Sequence, residues 1–282
     1  MKRSGQENGF TFRSEMGERE EVPEAQESKI TVNDRAANQK VDTEQSKKSE
    51  PVPALEALEV KKRYPGVDAL DGVSFTVGKG RVVGLLGPNG SGKSTFMRIA
   101  AGQTRPRSGN VLIQGLEPGL QTRKLVSYVP EHDHLYSWMK VEEAVDFFAV
   151  FFPGFSRERV GEMMEFMKIP RGKKISNLSR GMRTRLKLVL ALGWNAELLL
   201  LDEPLSGIDP ASREKVLQGI LQGCGERGVA MLISTHLVGE VEPLLDGVVF
   251  LEEGRVQLKG DCDHIREEYG TSLDQLMRRE LA

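Results

Sequence analysis

Hydrophobic and polar positions divide the chain near residue 53. Residues 1–52 are polar and carry charges of both signs, acidic over 18–27 and alternating Lys with Glu and Ser over 39–50. That composition buries too little apolar surface to offset the entropy of ordering, so a disordered N-terminal extension ending at Pro51-Val52-Pro53 is expected. From Ala54 the pattern changes. Residues 55–60 and 73–77 alternate as half-buried strands do, and Gly78-Lys79-Gly80 turns the chain into an apolar strand over 81–86. Short strands are predicted over 111–115 and 125–129, and helices over 141–152 and 157–168 on either side of Pro153-Gly154. A helix opens at Ser179 and runs to about Trp194, strongly apolar at Leu186, Leu188, Val189, Leu190 and Leu192. The four leucines at 198–201 suit a central parallel strand covered on both faces. A helix over 210–226, a buried strand over 229–234, a hairpin of strands 248–251 and 256–258, and two short helices to residue 282 complete the prediction.

The strand over 81–86 leads into Gly87-Pro88-Asn89-Gly90-Ser91-Gly92-Lys93-Ser94-Thr95, and a helical pattern follows. Strand, glycine-rich loop and helix in that order match the phosphate-loop pattern. Glycines let successive backbone N–H groups turn inward around an anion, and the helix start near Gly92 directs its dipole at the same place. Lys93 then reaches the outer phosphates, and the Ser94 hydroxyl is available to Mg²⁺. Asp202 and Glu203 stand at the carboxyl end of the leucine strand, where open α/β sheets bind ligands. Two acids there without partners are costly; beside a Mg²⁺-nucleotide, Asp202 has a metal to bind and Glu203 a water to polarise. His236 follows the next strand toward the same crevice, which favours function for it.

Other residues stay open at this level. Tyr64, where the first strand gives out, could stack on a base or simply pack. His132-Asp133-His134 has no further His or Cys at ligand spacing and reads as a solvated loop. Ser179 is placed as a helix N-cap. The aromatics and methionines between Phe147 and Met167 read as core, with a surface for a partner helix as the alternative.

Composition adds boundaries. With 282 residues and a net charge of -2, the chain suits one large domain or two small ones, and no nucleic-acid partner is expected. Cys224 and Cys262 have no metal-like or redox-like spacing and fit a reducing compartment. The basic start lacks an apolar segment behind it, and no apolar run is long enough to span a bilayer, so a soluble cytoplasmic protein is expected.

Taken in order, the phosphate loop, Leu178-Ser179-Arg180-Gly181-Met182, the leucine strand with Asp202-Glu203, Ser206-Gly207-Ile208-Asp209 and the strand-end His236 resemble the ATP-binding subunit of ABC transporters. The resemblance covers the chain from about Leu55 onward. It implies an α/β fold: a P-loop NTPase core with a mostly parallel sheet, an antiparallel β subdomain and an inserted α-helical subdomain. The ATPase domain would span 53–260, the helical subdomain about 131–194, and a short helical tail 261–282. Position by position, Tyr64 resembles the adenine-stacking aromatic. Gly87 to Thr95 is similar to Walker A and residues 198–202 to Walker B. Glu203 resembles the catalytic carboxylate and His236 the switch histidine. Ser179 and Gly181 belong to a signature that caps ATP held by another subunit, and Asp209 to the loop joining the two halves.

Two positions depart from the family pattern. Glu131 stands where Gln usually contacts Mg²⁺ and water; it can still ligate a hard cation but adds a charge and loses a donor. Arg180 and Met182 replace the usual Gly and Gln of the signature. Both changes are similar to those in separate-subunit bacterial exporters. The expected protein is therefore an exporter ATPase using ATP and Mg²⁺. It would work as a homodimer or heterodimer under a separate membrane permease, at the inner face of the cell membrane. The alternatives are an importer ATPase, a soluble ABC-type ATPase acting outside transport, or a nucleotide-binding regulator that does not hydrolyse.

Overall fold

A computed structural model describes residues 51–152, 154–225 and 227–280. The expected N-terminal extension up to residue 50, Pro153, Glu226 and the last two residues lie outside the described residues.

Two sheets sandwich one helix. The first is antiparallel, in the order β2 (Val67–Val77), β1 (Leu55–Tyr64), β4 (Ser108–Ile113). The second has six strands in the order β5 (Val126–Val129), β6 (Leu198–Asp202), β7 (Ala230–Thr235), β3 (Val82–Leu86), β8 (Gly247–Glu252) and β9 (Arg255–Asp261). It is parallel except for β8–β9. Between the sheets lies α1 (Lys93–Ala100), with Phe96, Met97, Ile99 and Ala100 all buried.

Strand periodicity explains the layering. In β3, Val83 and Leu85 face α1 and the small sheet, whereas Val82 and Leu86 face the opposite core. Leu198 and Leu200 of β6 likewise join the first core, and Leu199 and Leu201 the second. That second core is roofed by α2 (Val141–Phe151), α3 (Arg157–Phe166), α4 (Arg180–Gly193) and α5 (Pro210–Gly225). The short helix α6 (Val238–Val241) and the tail helices α7 (Cys262–Tyr269) and α8 (Leu273–Glu280) close its far end, with the Glu242 carboxylate accepting from the Leu273 and Asp274 amides.

The structure lengthens several predicted strands. β2 begins at Val67 rather than 73, because charges that look incompatible with a strand are neutralised across it. Asp71 is held by Lys61 of β1 at 2.8 Å and by Arg255 of β9 at 2.7 Å. Gly72 and Glu59, both at positive φ, sit where the β1–β2 register shifts. β9 runs from Arg255 to Asp261, anchored by the Asp261 carboxylate on Arg81 at 2.5 Å.

Candidate functional site: a phosphate loop and paired carboxylates at the sheet's carboxyl edge

The strand order places β7 between β6 and β3, so three carboxyl ends meet at one edge. The loop after β3 is forced into shape by close approaches. A Cβ on Gly87 would lie 2.0 Å from the Leu251 carbonyl oxygen, and one on Gly92 2.3 Å from that of Ala69. Both have positive φ, 149° and 107°, so only glycine fits either place. The chain then enters α1 directly, and its first amides are left for an anion.

Lys93 opens α1 and is only 5% exposed. Its Nζ donates to the Gly87 and Pro88 carbonyls at 2.8 and 2.9 Å and lies 3.7 Å from Glu203 Oε1. Burial holds its ammonium below the usual lysine value, opposed by the carboxylates of Glu203 and Asp202. Next to it, Ser94 Oγ donates to Asp202 Oδ1 at 3.0 Å.

Asp202, at the end of β6, is 3% exposed and meets three hydroxyls. Besides Ser94, Ser234 Oγ of β7 donates to Oδ1 at 2.5 Å and Tyr128 of β5 to Oδ2 at 3.3 Å. The Tyr128 hydroxyl is pushed well above its ordinary pKa by burial and by the Asp202 charge, so it stays a donor.

Glu203 departs from β6 geometry with φ 49°, in the left-handed region that non-glycine residues seldom occupy. Its amide donates to the Ser234 carbonyl at 3.0 Å and lies 3.2 Å from Ser234 Oγ, which pins the turn. Strain of this kind costs about 1–3 kcal/mol and persists where the surroundings over-determine it. Glu203 Oε2 lies 3.0 Å from His236 Nδ1, and Oε1 is buried without a hydrogen-bond partner. Ser91 Oγ in the phosphate loop is likewise buried and unpartnered. These orphaned oxygens and the Ser94–Asp202 pair are hard donors, a set that fits a Mg²⁺-nucleotide.

Glu131 is exposed on the loop after β5 and lines, with Ser94 and Asp202, an open cleft of about 500 Å³. Arg180, Arg183 and Lys187 of α4 line the same cleft. Ser179 is exposed and caps α4, its Oγ accepting from the Met182 amide at 3.2 Å. Gly181 is half-buried, 3.5 Å in Cβ terms from the Gly207 carbonyl, while the Arg180 guanidinium donates to Ser206 Oγ at 3.3 Å. Asp209 caps α5 through the Ser212 amide at 3.0 Å. Tyr64 is exposed at the end of the β1–β2 hairpin, the element that also supplies the Ala69 carbonyl against Gly92. Lys62 Nζ stands 5.3 Å over its ring.

Lys93, Ser94, Asp202, Glu203 and His236 are thus brought together in one chain, with Glu131 at the edge of the cleft. His132, Asp133 and His134 are exposed, and among the described residues no cluster of three or more His, Cys, Asp or Glu side chains forms a metal cage. Ser234 and Tyr128 were not anticipated. A partial signal was available: each is a hydroxyl within a short, mostly apolar strand, although Ser127 and Thr235 share that feature.

Residues 70–206 match the ABC transporter family. The ATP-binding protein YxlF of Bacillus subtilis (strain 168), an ABC transporter component by name, is 36% identical over 225 residues, 78% of this chain and 75% of that protein. The chain belongs to the ABC transporter ATP-binding proteins. The Nod factor export ATP-binding protein I of Rhizobium meliloti is 36% identical over 74% of this chain and 65% of its own length. The linearmycin resistance ATP-binding protein LnrL of Bacillus subtilis (strain 168) is 34% identical over 72% and 67%. Among solved structures, an ATP-binding subunit of an ABC transporter superposes with a TM-score of 0.71 at 30% identity, covering 80% of this chain and 98% of that one. As an ABC ATP-binding subunit it is an ATPase, with the P-loop NTPase fold expected for one. Among the described residues no helix is long and apolar enough to cross a membrane.

Proposed function

We propose that this chain is the ATP-hydrolysing subunit of an ABC exporter and works as a dimer beneath a separate permease at the inner face of the membrane. The observation that carries the catalytic part is the buried, unpartnered Glu203 Oε1 facing Lys93 and backed by His236. The phosphate loop from Gly87 to Thr95 holds the nucleotide, Lys93 the outer phosphates, and Tyr64 the base. Ser94, Asp202 and Glu131 would hold Mg²⁺, whose charge neutralises the phosphate oxygens. Glu203 orients the attacking water, and His236 holds that carboxylate while facing the γ-phosphate. In this reading 53–260 is the ATPase domain and 261–282 a tail.

Ser179 and Gly181 are assigned to a γ-phosphate held by the other subunit, because the start of α4 is exposed and a helix N-terminus suits an anion. The helices over about 131–194 are assigned to the permease contact. Tyr136, Trp138 and Phe151 are 53%, 66% and 63% exposed there and joined through Phe147 into one aromatic surface, and Val150 is 77% exposed on the same helix as Phe151. Export as the direction is supported by the names of two relatives, the Nod factor export and linearmycin resistance proteins.

Replacing Glu203 with Gln is expected to lower turnover about 100-fold or more while ATP binding persists, as loss of a positioned base does. Unchanged phosphate release would remove the assignment. Co-purification from detergent extract separates the classes: a permease supports transport, and ribosomes or DNA would overturn it.

A further inference from the structure

Lys187 is a buried charge that the chemistry above does not use. It lies on α4, 5% exposed, between Leu186 and Leu188. Its Nζ donates to three consecutive carbonyls, Pro130 at 2.8 Å, Glu131 at 2.9 Å and His132 at 3.2 Å. An ammonium has three donors and no acceptor, so the group is satisfied by backbone alone. Among the described residues no carboxylate comes within ion-pair reach, 4.0 Å; Asp133 and Glu131 act on it from further away. Burial pulls its pKa below the usual lysine value. Taking such a cation out of water is expensive, and the converging carbonyls are what offsets it.

The contact is one of a series. One turn earlier on α4, Arg183 Nε donates to Asp133 Oδ2 at 2.6 Å. One turn later, the Ala191 carbonyl accepts from Ser127 Oγ at 3.2 Å. Positions four apart share a helix face, so 183, 187 and 191 meet 133, 130–132 and 127 in reverse order. α4 is therefore stitched along β5 and the loop after it, and Lys187 holds the part of that loop carrying Glu131.

We propose that Lys187 is a positioning residue for Glu131. By gathering the carbonyls of 130–132 it sets how the Glu131 carboxylate is presented to the Ser94–Asp202 edge of the site. The inference rests on the role proposed above for Glu131. Without the ammonium, three carbonyls converge on nothing and must turn to water, and the loop turns with them.

The test is phosphate release by the full chain with ATP and Mg²⁺ titrated separately. Lys187→Met is expected to lower kcat about 10- to 100-fold, the scale of a small misplacement of a catalytic group, with KM for ATP within about twofold because the phosphate loop is untouched. Lys187→Arg, which keeps a cation and its donors, recovers most of kcat. Combined with Glu131→Ala, Lys187→Met adds no further loss, since both act through one group. Amide exchange at 131–133 quickens in Lys187→Met. Wild-type turnover in Lys187→Met, or a loss that multiplies with that of Glu131→Ala, overturns the inference. If Lys187→Met does not fold, Lys187→Gln, which keeps two donors without the charge, is held to the same criteria. Glu131→Ala with wild-type turnover removes the role of Glu131 and this inference together. A damaging Glu131→Ala beside a harmless Lys187→Met removes the inference alone.

Discussion

The wall of the cleft formed by β3, β6 and β7 and the wall formed by the start of α4 differ in what holds their polar groups. On the first, Lys93, Asp202 and Glu203 are 5%, 3% and 6% exposed, and each is held in place: Lys93 by the carbonyls of Gly87 and Pro88, Asp202 by the hydroxyls of Ser94, Ser234 and Tyr128, and Glu203 by Ser234 and His236. On the second, Ser179 is exposed and its hydroxyl serves only its own helix. A wall whose charges are desolvated and fixed in advance is prepared for charge that develops on a bound phosphate. At the start of α4 the Ser179 hydroxyl caps its own helix and, among the described residues, meets no group of the first wall. The difference teaches that one chain holds a nucleotide site whose completion, in the proposed reading, comes from another copy or a homologous subunit.

The sharpest way to break that comparison is complementation. Lys93→Ala and Ser179→Ala are each expected to lose most turnover, the first by failing to hold the phosphates and the second by failing to cap them. Mixed, they form dimers with one intact composite site, in which the Ser179 of the Lys93→Ala chain faces the nucleotide of its partner. Phosphate release by the mixture then exceeds the sum of the two alone. If Ser179 acts within its own chain, mixing restores nothing, and the two walls are not halves of different sites. A smaller effect accompanies Ser179→Ala, because the cap is also structural. Loss of an N-cap costs about 1 kcal/mol, which for a domain of this size lowers the melting temperature by about 2–4 °C. Ser179→Asp, which keeps the cap but brings a negative charge to the phosphate, should hold that stability and still lose turnover.

How legible this was in the sequence follows from how local each feature is. The phosphate loop needs only nine adjacent residues, and Asp202-Glu203 announce themselves by following four leucines. Asp202's other partners are not local. Ser234 and Tyr128 reach it only because β7 and β5 flank β6, an order that no short-range pattern records. The early start of β2 was hidden for the same reason: besides Lys61 of β1, Asp71 is held there by Arg255, 184 residues away. Lys187 reads as an interruption of an apolar helix face until the loop carbonyls it serves are seen.

The smallest expected effect concerns Tyr64, which belongs to the exposed side of the site yet stands on the hairpin that packs the phosphate loop. Two roles predict different outcomes. If the ring stacks on the base, Tyr64→Ala raises KM for ATP about fivefold, the equivalent of ~1 kcal/mol for an aromatic stack. Tyr64→Phe then leaves KM unchanged, because the face does the binding and the hydroxyl does not. If the ring serves instead to order the hairpin under Lys62, Tyr64→Ala lowers the melting temperature while KM stays put. Lys62→Met separates the two further, since it removes the cation over the ring and leaves the face open to a base. A KM effect confined to Tyr64→Ala places the base-binding element on the small antiparallel sheet, and so extends the first wall beyond the parallel sheet that supplies its charges.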